Sequence, residues 1–136
     1  MDRNALLFLL LADISSVAAA GPMAYVTNEK SDDVSVIDTS SNTVVRTIRV
    51  GKRPRGIEIS PNGRRVYVSN GNSDSVSIVD AEAGKEIEAW PAGVDPEGLA
   101  LSHDGTRLYA VNENGGTVTV IDTSMGTTVA TIEVQV

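Results

Sequence analysis

The chain has 136 residues, room for one ordinary domain, and because it is 41% hydrophobic but only 4% aromatic, its core must be built from Val, Ile, Leu and Ala. The formal net charge of −7 argues against general binding to nucleic acid or to an anionic membrane surface. The chain contains no cysteine, which excludes disulfides, thiolate zinc sites, iron–sulfur clusters and haem attached through cysteines.

The first 20 residues have the organisation of a Sec-type signal peptide. A polar start, Met1–Asn4, precedes the apolar run Ala5–Ala12, and small residues lead up to Ala20. This run is too short to cross a bilayer, which takes about 20 residues. We therefore expect cleavage after Ala20 and a periplasmic or secreted protein that does not insert into the membrane. A buried N-terminal helix or strand is the alternative.

Residues 21–136 carry an internal repeat of 42 residues. This spacing relates tyrosines, asparagines, valines and aspartates across three copies: Tyr25, Tyr67 and Tyr109; Asn28, Asn70 and Asn112; Val34, Val76 and Val118; Asp38, Asp80 and Asp122. Agreement of several residue types at one period indicates a repeat architecture.

The second repeat shows the pattern within one copy. Turns separate four segments that carry alternating apolar residues: Arg55–Ser60, Arg65–Asn70, Ser75–Asp80 and Lys85–Ala92. Four short antiparallel strands in roughly 40 residues are typical of a β-propeller blade. Val76 and Ile78 are expected on one face and Val79 on the other, because both faces of a blade pack against neighbours.

The predicted fold class is therefore all-β. We expect a β-propeller segment of three consecutive blades, each a four-stranded antiparallel sheet. The blades are placed at residues 23–50, 54–92 and 96–134, and the first lacks its innermost strand, which gives about 11 strands.

Four segments resemble the YVTN-repeat β-propeller family: Ala24–Asn28 (AYVTN), Val66–Asn70 (VYVSN), Ser35–Asp38 (SVID) and Ser60–Gly63 (SPNG). The hexapeptides Gly51–Gly56 (GKRPRG) and Gly93–Gly98 (GVDPEG) are more narrowly similar to exported members associated with pyrroloquinoline-quinone (PQQ)-dependent alcohol catabolism. Family members usually have seven blades, and their C-terminus supplies the strand that the first repeat lacks. The resemblance thus implies either a fragment or a short protein completed by self-association through open blade faces.

The two hexapeptides keep glycine, proline and glycine in place but exchange their charges. Arg53 and Arg55 correspond to Asp95 and Glu97, and Lys52 adds another positive charge. In a propeller such loops lie beside the central channel, where loops often carry function. One interpretation is a rim of these five residues that binds a protein or a small anionic or zwitterionic ligand. The other is an ion pair between adjacent loops, which contributes about 0–1 kcal/mol if exposed.

Other polar and aromatic residues have structural explanations. His103 lies in a predicted turn, and Trp90 aligns with Ile48 and Ile132 as a packing residue. The aspartates that end the third strand of every repeat, and the asparagines that end the second, are expected to bond the backbone of the turn that follows. We therefore expect no catalytic residue, metal site or cofactor, and the sequence favours a non-enzymatic binding or accessory module. Two alternatives stay open: a fragment of a propeller oxidoreductase whose cofactor site lies in other blades, and a surface-layer or adhesion propeller.

Overall fold

The computed structural model describes residues 9–12 and 21–134, and every regular element among them is a β-strand except one 3-10 turn, Gly71–Ser73. In chain order the strands are β1 (Leu9–Ala12), β2 (Met23–Asn28), β3 (Asp33–Asp38), β4 (Thr43–Arg49), β5 (Pro54–Ile59), β6 (Arg65–Asn70), β7 (Ser75–Asp80), β8 (Lys85–Pro91), β9 (Pro96–Leu101), β10 (Arg107–Asn112), β11 (Thr117–Asp122) and β12 (Thr127–Glu133). No helix within the described ranges is long and apolar enough to cross a membrane.

The strands form three four-stranded antiparallel sheets, each assembled from strands that follow one another in the chain. We call them the first blade (β1–β4), the second blade (β5–β8) and the third blade (β9–β12). The predicted all-β propeller segment is thus confirmed. The repeats themselves supply the eleven strands β2–β12, and the strands of the second blade begin and end within one residue of their predicted bounds.

Strand β1 takes the innermost position of the first blade, which the first repeat does not fill itself. It pairs antiparallel with β2, so that Leu9 lies opposite Val26 and Ala12 opposite Met23. These residues belong to the apolar run of the predicted signal peptide. The rest of that predicted peptide, residues 1–8 and 13–20, lies outside the described residues.

The blades pack face to face through two interfaces built from equivalent positions. We call the side of a blade toward the following blade its back face, and the opposite side its front face. At the first interface four back-face residues meet four front-face residues: Tyr25, Val34, Val36 and Ile48 against Ile57, Val66, Val68 and Val79. At the second interface the equivalent sets meet: Tyr67, Val76, Ile78 and Trp90 against Leu99, Leu108, Ala110 and Ile121. Because no blade buries its faces alone, these interfaces form the core.

The structure confirms which way the residues on the third strand of the second blade were predicted to face. Val76 and Ile78 lie in the second interface, whereas Val79 lies in the first. Trp90 is also a packing residue, 8% exposed, with its ring centroid 5.9 Å from that of Tyr67. Both side chains therefore add apolar area to the same interface.

The polar residues at strand ends divide into two groups. The aspartates bond the backbone of the following turn as predicted: the Asp80 carboxylate accepts the N–H groups of Glu82 (3.0 Å) and Ala83 (2.9 Å). The same prediction for the asparagines is wrong. Asn70 instead donates to the hydroxyls of Ser75 (3.2 Å) and Ser77 (2.8 Å) on the neighbouring strand. Its side chain is fully buried, so its amide donors need partners inside the blade.

Candidate binding site at the charged rim

The charged residues predicted to form a rim lie in and beside two connecting loops, between β4 and β5 and between β8 and β9. We call this set the charged rim: Lys52, Arg53, Arg55, Asp95 and Glu97. The carbonyl of Arg53 accepts the backbone N–H of Gly71 at 2.9 Å. In the same way, the carbonyl of Asp95 accepts the backbone N–H of Glu113 at 2.9 Å. Each connecting loop is thereby fixed to the turn between the second and third strands of its own blade, at one end of the blades.

Arg53 and Asp95 share an uncommon backbone conformation. Both have a φ of 55°, in the left-handed region that costs about 1–2 kcal/mol for most L-residues. An aspartate of the preceding blade holds each one. Asp32 accepts the backbone N–H of Arg53 at 2.9 Å, and Asp74 accepts that of Asp95 at 2.9 Å. Aspartate tolerates this region well, whereas arginine does not, so the position of Arg53 is enforced by its contacts.

The opposite charges of the two loops meet directly. Arg53 Nη1 lies 3.2 Å from Asp95 Oδ1, a residue 42 positions further on. Arg55 Nη2 forms the second pair of this kind with Glu97. Because equivalent residues of successive loops are neighbours, equal charges there would repel and opposite charges attract. This geometry explains why the two loops share their glycine and proline positions but carry opposite charges.

Each arginine also contacts a second carboxylate from a turn. Arg53 Nε donates to Glu29 at 2.8 Å, which raises the pKa of Arg53 above its ordinary value. Arg55 Nη1 lies 3.4 Å from Glu113. The position equivalent to these two glutamates in the second blade is Gly71, where a Cβ atom would lie 2.5 Å from Asp95 Oδ1. Glycine there leaves room for the Arg53–Asp95 contact.

In each of the two ion pairs that join the loops, one partner is largely shielded from water. The side chain of Arg55 is 12% exposed and that of Asp95 is 9% exposed. Burial, together with the neighbouring Glu113 carboxyl, raises the pKa of Glu97. Water screens these two pairs less than an exposed pair. They therefore contribute more to the stability of the fold than the exposed ion pair considered in the sequence analysis.

A cavity of about 430 Å³ opens at the first interface beside the rim. Charged and polar residues of three loops line it: Glu29, Lys30, Asp32, Lys52, Arg53 and Asn72. The Lys52 ammonium donates to Asp32 at 2.8 Å while its side chain stays 70% exposed. That hydrogen bond, followed by the one from the Arg53 backbone, lowers the pKa of Asp32. The cavity thus presents charges of both signs.

Only part of the rim predicted from the sequence therefore lines the cavity. Lys52 and Arg53 line the cavity, whereas the other three rim residues are not among its lining residues. Glu29, Lys30 and Asn72 come from turns that sequence reasoning did not select. The 42-residue period relates equivalent positions, but it does not show which turn of one blade touches which loop of the next.

Metal-ligating side chains do not cluster in the described residues. No group of three or more His, Cys, Asp or Glu side chains that could hold a metal ion occurs there. His103 is exposed in the turn between β9 and β10, as predicted.

A sequence model for the family described as "Lactonase, 7-bladed beta-propeller" matches residues 11–86, more than half of the chain. The chain belongs to this propeller family. The match begins within β1, inside the predicted signal peptide, and ends within β8. No curated protein matches the chain.

Two solved structures show the same propeller arrangement. Hydrazine synthase from Kuenenia stuttgartiensis superposes with a TM-score of 0.83 and 26% identity, covering 96% of this chain and 36% of that one. A functionally unknown protein from Desulfotomaculum acetoxidans DSM 771 superposes with a TM-score of 0.68 and 20% identity, covering 80% of this chain and 38% of that one. The second likeness shows the fold alone, and the propeller chain spans well under half of either structure.

Proposed function

We propose that this propeller chain is a non-catalytic binding module whose binding surface is the charged rim and the adjoining cavity. The observation that carries the proposal is the cavity of about 430 Å³ lined by side chains of both charges. Its ligand is a protein segment or a small anionic or zwitterionic molecule. The lack of a metal-ligating cluster in the described residues is compatible with a binding role.

The rim offers one adaptable cation beside fixed charges. Arg53 is held between Glu29 and Asp95 and cannot turn toward a ligand without losing those contacts. Lys52 is 70% exposed on a flexible stem, so an incoming anionic group can replace the water around its ammonium. The nearby carboxylates of Glu29 and Asp32 provide acceptors for the positive end of a zwitterion. A site fixed in advance loses less conformational entropy on binding.

Backbone amide NMR shifts with three probes test this site: acetate, tetramethylammonium and glycine betaine. The zwitterion glycine betaine should move the amides of Lys52, Arg53 and Asn72 most, and tetramethylammonium least. Lys52→Glu should abolish the shifts, while Lys85→Glu, an exposed lysine at the opposite end of the blades, should not. Equal shifts in both variants, or shifts outside the rim only, would contradict the proposal.

The proposed cellular context is export and association with PQQ-dependent alcohol oxidation. Its support is the organisation of residues 1–20 and the two hexapeptides of the rim. Intact-mass measurement of the periplasmic fraction should find a chain that begins at or near Gly21. Genes for quinoprotein alcohol oxidation should lie beside the gene. A cytosolic product that retains residues 1–20 would contradict this context without touching the binding site.

A second candidate is that the chain is part of a propeller oxidoreductase. The likeness to hydrazine synthase favours it, with 26% identity over 96% of this chain. The shared region is 36% of that chain, so cofactor ligands would lie outside it. A cofactor absorbance band on the purified natural product would support this candidate, whereas a binding module should show protein absorbance alone.

A further inference from the structure

Three asparagines of the chain are followed directly by glycine: Asn62, Asn70 and Asn114. In such a pair the backbone nitrogen of the glycine can attack the side-chain amide carbon of the asparagine, because glycine has no Cβ to obstruct the approach. A fold controls this reaction through the freedom of the glycine N–H and through the access of water to the pair. The three pairs differ in both properties.

The pair Asn62–Gly63 is held by hydrogen bonds on both residues. Gly63 is buried, and its N–H donates to the backbone carbonyl of Ser60 at 2.8 Å. Asn62 Oδ1 accepts the Ser60 hydroxyl at 2.7 Å and the Arg64 N–H at 3.0 Å. Attack by the Gly63 nitrogen would break a buried backbone hydrogen bond, which is unfavourable. The fold therefore protects this pair.

The pair Asn70–Gly71 is protected by burial. The side chain of Asn70 is fully buried, and Gly71 is buried beside it. The Gly71 N–H donates to the carbonyl of Arg53 at 2.9 Å, which is the bond that fixes the connecting loop to the second blade. Reaction here would require this bond to break and water to enter the blade.

The pair Asn114–Gly115 has neither form of protection. Both residues are exposed in the turn between β10 and β11. Within residues 9–12 and 21–134, no group accepts the Gly115 N–H in a hydrogen bond. The exposure belongs to this position of the repeat, because the equivalent Asn72 is exposed as well, although a further blade follows it.

We propose that Asn114 is a site of spontaneous deamidation that changes the charge at one end of the rim. The Gly115 nitrogen gives up its proton to solvent and forms a bond to Asn114 Cγ. The Cγ–Nδ2 bond then breaks, and the side-chain nitrogen takes up a proton and leaves as ammonia. Water opens the resulting succinimide ring at either carbonyl, which leaves aspartate or isoaspartate at position 114. The reaction needs water alone as co-reactant.

The modification acts on the rim through Asp95. Asn114 Nδ2 donates to Asp95 Oδ2 at 2.7 Å, and the Asp95 side chain, 9% exposed, also contacts Arg53. A carboxylate in place of this donor brings two negative charges together in a mostly buried position, which is unfavourable. Isoaspartate also adds a backbone atom to a turn that the pairing of Asn112 with Thr117 closes. Deamidation therefore weakens the contact between this turn and the loop before the third blade.

Deamidation of Asn62 would have no such consequence. The third blade carries Asp104 at the equivalent position. Its carboxylate accepts the Ser102 hydroxyl at 2.7 Å and the Thr106 N–H at 3.0 Å, as Asn62 Oδ1 accepts its own two partners. An aspartate is thus accommodated in that turn, which provides a matched control for the charge effect.

Incubation of the full chain in mildly alkaline buffer, followed by trypsin digestion and mass spectrometry, measures the three rates. Basic residues separate the three asparagines, so each lies in a peptide of its own. In the folded chain Asn114 should convert at least about tenfold faster than Asn62 or Asn70, because local order protects the other two pairs. In guanidinium chloride the three rates should become similar. Equal rates in the folded chain, or the same differences in the unfolded chain, would overturn the proposal.

Gly115→Ala tests whether the Gly115 nitrogen is the attacking group. The φ of Gly115 lies outside the left-handed region, and the atom nearest to an added Cβ would be Thr117 Oγ1 at 3.3 Å, so the fold should be retained. The added methyl group obstructs the attack and should slow conversion of Asn114 at least about tenfold. An unchanged rate would show that the reaction does not proceed through this nitrogen.

The consequence for the rim is tested with variants that carry the product's charge from the start. Asn114→Asp should lower the midpoint of chemical denaturation, whereas Asn62→Asp should not. In an Asp95→Asn background Asn114→Asp should lose its effect, because the repelling carboxylate is absent. Equal losses from Asn114→Asp in both backgrounds, or no loss in either, would refute the charge effect on the rim.

Discussion

Arg53 occupies a left-handed backbone conformation and makes ion pairs with two carboxylates, Glu29 and Asp95. The neighbouring Arg55 has the same double contact, with Glu97 and Glu113, at 12% exposure. These arginines bind successive blades at their rim ends. Part of the function assigned to the rim is therefore structural, and only the outer surface around Lys52 is available to a ligand.

Reversing the charge of Arg55 should destabilise the fold more than reversing a more exposed arginine. Arg55→Glu places a carboxylate beside Glu97 and Glu113 in a mostly buried site, and we expect a loss of about 2–4 kcal/mol. Arg65→Glu is the control: it breaks the more exposed pair with Asp80 and should cost about 1 kcal/mol or less. Chemical denaturation measures both.

Exchanging both partners should restore much of the loss. In Arg55→Glu with Glu97→Arg the attraction is rebuilt, and the two substitutions should be strongly non-additive. Additive losses, or an Arg55→Glu loss no larger than that of Arg65→Glu, would show that these contacts do not hold the rim together.

Asp104 should make stability depend on pH in the acid range. Its carboxylate accepts the Thr106 N–H at 3.0 Å and the Ser102 hydroxyl at 2.7 Å, and these bonds lower its pKa from 3.8 to about 2. A depressed folded-state pKa stabilises the fold above the unfolded value, and that contribution is lost as pH falls from about 4 to about 2. Asp104→Asn should therefore be less stable than the natural chain at pH 7, with a difference that shrinks toward pH 2.

The second blade provides the control for this titration. Asn62 occupies the equivalent position and accepts the Ser60 hydroxyl at 2.7 Å and the Arg64 N–H at 3.0 Å. Asn62→Ala should lower the midpoint of denaturation by the same amount at every pH, since an amide does not titrate in this range. A constant difference for Asp104→Asn would contradict the assignment.

At the level of elements, the outer strands contact turns of the following blade through two equivalent glycines. Both have positive φ, Gly84 at 64° and Gly126 at 67°. A Cβ atom at Gly126 would collide with the indole of Trp90, and one at Gly84 with the guanidinium of Arg46. Trp90 is 8% exposed and packed in the second interface, whereas Arg46 is exposed and able to move aside.

Alanine substitution of these glycines should therefore have unequal effects. Gly84→Ala should cost about 1 kcal/mol from the left-handed backbone alone. Gly126→Ala should cost about 1–3 kcal/mol more, because the indole must leave its packed position. Thermal or chemical melts, with Trp90 fluorescence as a second readout, measure the difference. Equal losses would mean that the indole has room to adjust.

Strand β1 is the element that sequence reasoning assigned differently. The repeat period and the alternation of residues such as Val76, Ile78 and Val79 predict β2–β12 and their facing, because both faces of every strand must suit a neighbour. Residues 9–12 carry no repeat motif, and their apolar composition is also that of a leader. Only the vacant pairing edge of β2 gives them a strand conformation, and that edge is a tertiary feature.

Removing residues 1–20 should expose the inner edge of β2. The truncated chain loses the pairing from Leu9–Ala12 to Met23–Val26, so the amides of β2 should exchange hydrogen faster. The amides of β6, inside the second blade, should be protected as before. Unchanged exchange in β2 would show that β1 contributes nothing to the blade, which would fit its removal during export.

At the scale of the whole molecule, the three blades leave one large apolar face uncovered. Among the described residues, Tyr109, Val111 and Ile132 are each at least 36% exposed on the third blade. An exposed apolar patch of this kind promotes association with any surface that can cover it. In a seven-bladed ring the next blade would cover it, and the family match makes such rings the natural reference.

The chain by itself should therefore associate in a concentration-dependent way, without a discrete stoichiometry. Sedimentation velocity from low to high micromolar concentration should show a rising average mass. Tyr109→Lys should shift the chain toward monomer, because a buried ammonium opposes association through this face. Met125→Lys is the control: Met125 is 74% exposed in the turn between β11 and β12, outside the back face. A strictly monomeric natural chain at all concentrations, or equal effects of the two lysine substitutions, would show that the open face does not drive association.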